Sequence, residues 1–120
     1  MNKLTRRRWL LAGGALVATM GGALAQVHPL VSLDVSTVTT GGTAVTAINA
    51  GHRASGGWIQ NPPTATTNLC VNERGTATTT AGGDTSCLVP GQTYILSGNA
   101  GPVSVVSSDS AHAFSGQAWN

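Results

Sequence analysis

Beyond residue 26 the chain sets its apolar residues at a period of two. In VSLDVST (31–37), Val31, Leu33 and Val35 alternate with Ser32, Asp34 and Ser36, the pattern of a strand with one buried face. TAVTAIN (43–49) is rich in β-formers but alternates less cleanly. GGWIQN (56–61) ends at Pro62-Pro63, which donate no ladder hydrogen bonds and suit a strand end or an edge. TNLCVN (67–72), QTYILS (92–97), PVSVVS (102–107) and HAFSGQAW (112–119) complete the set, separated by Gly, Pro and Asn turn signals. No window of this region repeats apolar residues at i, i+3, i+4 and i+7. Seven or eight short strands of this kind predict an all-β fold, a small antiparallel β-sandwich or barrel.

Residues 1–25 read differently. Lys3, Arg6, Arg7 and Arg8 precede an apolar run, and Ala23-Leu24-Ala25 forms an A-x-A site, the three parts of an export signal peptide. A spanning helix needs about 20 predominantly apolar residues, and glycines interrupt this run, so no stable membrane span is expected after cleavage. TRRRWLL (5–11) resembles the twin-arginine export motif, with Trp9 for the usual Phe and Leu11 for the usual Lys. The general secretory route stays open beside it. The domain division is therefore a signal at 1–25 and one domain at 26–120, with an exported destination in periplasm, cell surface or medium.

Removing the signal reverses the charge. Arg53 and Arg74 remain against Asp34, Glu73, Asp84 and Asp109, giving 2 − 4 = −2. Nucleic-acid binding draws its affinity from Lys and Arg on phosphates, so no nucleic-acid partner is expected.

A domain of this size buries little apolar surface per residue, and its core is largely Val and Ala. In an oxidising compartment Cys70 and Cys87 are read as a disulfide, worth about 3 kcal/mol in the chain-entropy picture. A metal or redox site is the competing reading, but neither a CxxC nor a nearby His supports it. Because Leu69 and Val71 share one face, Cys70 is expected to point outward. The bond then sits on the outer face or at an edge and tethers the segment 73–86, whose Thr-rich run is a solvated loop or an irregular edge hairpin, or on a functional reading a binding loop.

His28, His52 and His112 lie far apart, without the local spacing of zinc ligands. No metal and no cofactor is expected. Ser107, Asp109 and His112 supply the residue types of a catalytic triad, yet nothing marks an activated nucleophile. No catalytic residue is nominated, and an enzyme is not expected. Trp58 and Trp119, with Tyr94, are the candidates for an exposed aromatic platform of the kind carbohydrate binders use. Arg53, just before Gly56-Gly57-Trp58, reads as a structural stack on an indole or as a ligand contact.

The order INAGHRASGGWIQNPPTATTNLCVNERGTA, LVPGQTYIL, GPVSVVSSDSAHAFSGQAW, over about residues 48–119, resembles a group of short, mostly uncharacterised β-proteins. They occur in bacterial (especially alphaproteobacterial) and phage sequence sets. The resemblance implies a small surface or fibre-associated β-domain with no catalytic residues to carry over. The signal and the cysteine pair depart from it, and shift the expectation toward a structural or adhesive protein of the cell envelope or an extracellular assembly. Self-association through edge strands and binding of a glycan or envelope partner are the two expected modes of action.

Overall fold

The computed structural model describes residues 29–53 and 55–120; the expected signal peptide and His28 lie outside them. The described chain is all-β, with ten short strands: β1 (Leu30–Val31), β2 (Thr37–Val38), β3 (Val45–Ile48), β4 (Gly56–Gln60), β5 (Leu69–Asn72), β6 (Thr85–Leu88), β7 (Thr93–Leu96), β8 (Val103–Val106), β9 (His112–Ala113) and β10 (Ser115–Trp119). Among the described residues no helix is long and apolar enough to cross a membrane.

The pairing explains the shape. β5 pairs with β6, β4 with β7, β3 with β8 and β1 with β10, all antiparallel. The chain is thus one long hairpin whose tip is the β5–β6 loop. Rolling that hairpin up sends successive pairs to opposite layers, giving two four-stranded sheets ordered β1-β10-β4-β7 and β3-β8-β5-β6. This is the winding of a jelly-roll sandwich.

Alternation decides what lies between the layers. Ile59, Leu96 and Ala118 face inward from the first sheet, and Leu69, Val71, Val103 and Val105 from the second; all are at most 4% exposed. Trp58 and Gln60 therefore face outward, which settles a parity that the sequence leaves open. Pro90-Gly91 forms the turn into β7. Gln92 N–H donates to Val89 O at 3.0 Å and Gly91 has φ 87°, a type II turn whose third position favours glycine.

Two predicted strands are each divided. VSLDVST keeps strand pairing only at its two ends, because Asp34 N–H and Val35 N–H both turn to Ala47 O, at 2.9 and 3.3 Å. Ala47 lies in a bulge of β3 between Thr46 and Ile48, so the bulged edge receives the crossing segment. HAFSGQAW breaks at Phe114, which donates its N–H to Ser36 O at 2.9 Å and buries its ring in the core. β2 and β9 then pair with each other across one end of the sandwich. The end of the Thr-rich segment, Thr85 and Ser86, opens β6, so the edge-hairpin reading of that segment holds there.

Candidate functional site

The outer face of the β1-β10-β4-β7 sheet carries two of the four exposed large aliphatic side chains among the described residues, Leu30 and Ile95, together with both described tryptophans, while Val35 and Val89 lie off its strands. Register places Ile95, Trp58 and Gln117 in one row across three strands, and Leu30, Trp119 and Gly56 in the next. Ile95 is 72% exposed and Leu30 69%, while both tryptophans are half-buried. The Trp119 indole lies over Gly56: a Cβ there would stand 3.3 Å from Nε1. Gly56 also has φ 115°, a conformation that favours glycine, and the ring covers the backbone it leaves bare. The four strands contain no charged residue. The structure thus brings Trp58 and Trp119 to one surface, in a patch of mixed aromatic and aliphatic character.

Tyr94 and Arg53 are not on that surface. Tyr94 leans to the inner side of β7 and donates its hydroxyl proton to Glu73 Oε2 at 3.0 Å. Burial first, and then the Glu73 carboxylate, hold its phenol above the ordinary range. Arg53 is fully buried. Its guanidinium donates to Glu73 Oε1 at 2.7 Å and to three carbonyl oxygens, those of Gly101, Ser97 and Glu73. The expected indole stack is replaced by this knot, and the guanidinium has no solvent face with which to meet a ligand. Glu73 Oε1 also accepts from Ser97 N–H at 2.9 Å and Ser97 Oγ at 3.0 Å. One acid at the start of the tip loop thereby ties the second sheet to β7 of the first.

The triad residue types do meet, in another arrangement. Ser107 Oγ lies 3.0 Å from His112 Nδ1, and His112 Nε2 lies 2.9 Å from Asn61 Oδ1. Asn61 Nδ2 donates to Thr67 O and Leu88 O, which fixes Oδ1 as the acceptor and places a proton on His112 Nε2. Asp109 does not reach the imidazole; its Oδ2 accepts from Thr66 and Thr67. Ser107 is 1% exposed, so its hydroxyl is a buried link between strands rather than a nucleophile presented to solvent. Among the described residues no three His, Cys, Asp or Glu side chains form a group able to hold a metal ion.

Cys70 and Cys87 are bonded, directly opposite each other on β5 and β6. Cys70 points away from the main core as alternation requires, but it is not on an open face. The tip loop folds back so that Ala77 covers Cys70 and Val106 in a small second cluster, and Ala77 N–H donates to Ser104 Oγ at 2.9 Å. The bond clips the β6 edge and closes the segment as expected, and residues 74–76 and 78–84 beyond it are exposed. What the sequence did not show is that Ala77 turns back to cover Cys70 in a miniature core.

Asp34 accepts from Asn49 N–H at 2.7 Å and lies 3.0 Å from His52 Nδ1. The Asn49 bond, then His52, hold its carboxyl below the ordinary aspartate value. A carboxyl held low binds its proton less readily folded than unfolded, so it contributes stability above the unfolded value and loses it as pH falls through the folded one. The urea midpoint is expected to fall on the acid side of about pH 4, and less steeply in Asp34→Asn, which keeps the Asn49 bond. Parallel curves for the two proteins would refute that assignment.

No family model matches the chain, and no curated protein or solved structure does either.

Proposed function

We propose that this is a non-enzymatic, exported structural or adhesive domain of the bacterial envelope or of an extracellular assembly, which acts by associating through its outer β-face. The observation that carries the reading is the charge-free row of Trp58 and Ile95 beside Trp119 and Leu30. Contiguous exposed apolar surface on a small domain marks an interaction site. The disulfide adds to it, since such bonds persist in oxidising, non-cytoplasmic surroundings, as do the signal at 1–25 and the likeness to surface and fibre-associated β-domains. Fold alone does not assign the role, because jelly rolls serve capsids, lectins and enzymes alike.

Sedimentation velocity across a concentration series tests it. The exported protein is expected to associate, and Trp58→Ser with Ile95→Ser is expected to weaken association roughly thirty-fold, the factor for a hot-spot loss of about 2 kcal/mol. A parent that stays monomeric throughout defeats the reading. In that case the two indoles beside Gln60 and Gln117 support the glycan-binding alternative, in which tryptophan fluorescence shifts on adding glycan.

A further inference from the structure

Each sheet of the sandwich has two edges, and three of the four are obstructed. β1 has only two residues, and β3 carries its bulge between Thr46 and Ile48. On β6, Thr85 already exchanges both backbone bonds with Gly82, at 3.0 and 3.1 Å. The fourth edge is β7. Asn61 N–H donates to Gln92 O at 3.0 Å, which makes Gln60↔Thr93 a non-hydrogen-bonded pair of the β4–β7 ladder. By alternation Tyr94 and Leu96 then bond inward to Ile59 and Gly57, while the N–H and C=O of Thr93 and Ile95 point out of the sheet. Neither residue carries a charge, and no proline or bulge lies within the four residues of β7, so those guards of an open edge are missing.

We infer that β7 is a self-complementary edge that pairs antiparallel with β7 of a second copy, Tyr94 facing Tyr94 across a two-fold axis. The inference rests on the self-association reading above and specifies its geometry. The register follows from which groups are already used. Pairing Ile95 with its own copy would require Ser97 to meet Thr93, but Ser97 N–H is held by Glu73 and Ser97 O by Arg53. Pairing Thr93 with its own copy would require Gly91, whose N–H is held by Asn61 O at 2.8 Å. Only Thr93 against Ile95, repeated by symmetry, uses every free group and forms two complete pairs. The product is a continuous eight-stranded sheet. On its outer face each Ile95 stands opposite Thr93 of the other copy and diagonal to the other Ile95, so the two Trp58–Ile95 rows run side by side, offset by one step, in an isologous contact that closes on itself.

Amide hydrogen exchange on the full chain recovered from the exporting cell, at low and high concentration, reads this directly. Thr93 and Ile95 amides are expected to exchange freely when dilute and to gain at least tenfold protection when associated, with Ser97 unchanged. Thr93→Pro removes one outward N–H at the first position of the strand, where proline is tolerated, and is expected to abolish the gain. Association in which neither amide gains protection overturns the edge pairing and leaves the face contact standing. Protection of Ile95 alone overturns the register. A monomer at every concentration overturns both the pairing and the function it rests on. Should Thr93→Pro misfold, the parent exchange data decide alone.

Discussion

Arg53→Ala is expected to cost more stability than any other single change, about 3–5 kcal/mol, the usual penalty for breaking a buried ion pair from one side. Four acceptors lose their donor at once: Glu73 Oε1 and the carbonyls of Gly101, Ser97 and Glu73. The Glu73 side chain is only 15% exposed, so water replaces the guanidinium poorly. A domain of this length has a total stability on the order of 5–14 kcal/mol, and the melting temperature is expected to drop by roughly 20 °C. Arg53→Lys separates charge from geometry. A single ammonium keeps the ion pair but cannot span the fork, so it is expected to fall between parent and alanine. Thermal denaturation of the three proteins checks the order. An alanine variant that melts with the parent would show that the knot is replaceable by solvent.

That knot is also where reading the chain alone stops. Arg53 and Glu73 are twenty residues apart, and Gly101 a further twenty-eight. Nothing in the local string GHRASGGW announces that the rolled hairpin brings its tip back beside the entry to β4. Local pattern did carry the strands whose neighbours are apolar: β3, β4, β5, β7 and β8 fall within the alternating segments. It left β6 between a solvated loop and an irregular edge hairpin, because the strand character of Thr85 and Ser86 comes from pairing with Asn72 and Val71. It was neutral at β4. Ile59 and Asn61 share a parity, and an inward asparagine argues against that face until its partners Thr67, Leu88 and His112 are known. Trp58 and Trp119 were legible as a pair of candidates, but not as neighbours, since their proximity follows from the register of β4 with the last strand. The same long-range register removed Tyr94 from their company.

Loss of the disulfide is the second large effect expected, about 3 kcal/mol in the chain-entropy model for a loop of this length. Its position gives the loss a direction. Cys70 and Cys87 close the hairpin at its tip, and beyond them residues 73–84 are ordered by few contacts: Ala77 on the small cluster, the Ser104 bond and the Asn72 side chain, whose Oδ1 accepts from Arg74 and Gly75 N–H. Yet Glu73, the acid of the Arg53 knot, sits in the same stretch. Freeing the tip loop therefore loosens the tie between the sheets as well as the loop itself. Reduction, or Cys70→Ala with Cys87→Ala, is expected to lower the melting temperature by roughly 10–20 °C, with the Ala77 and Ser97 amides exchanging faster together. If Ala77 speeds up while Ser97 and the melting temperature hold, the clip orders only the loop and the knot stands without it. If neither changes, the strand pairing of β5 with β6 alone holds the tip, and the bond contributes nothing measurable to the fold.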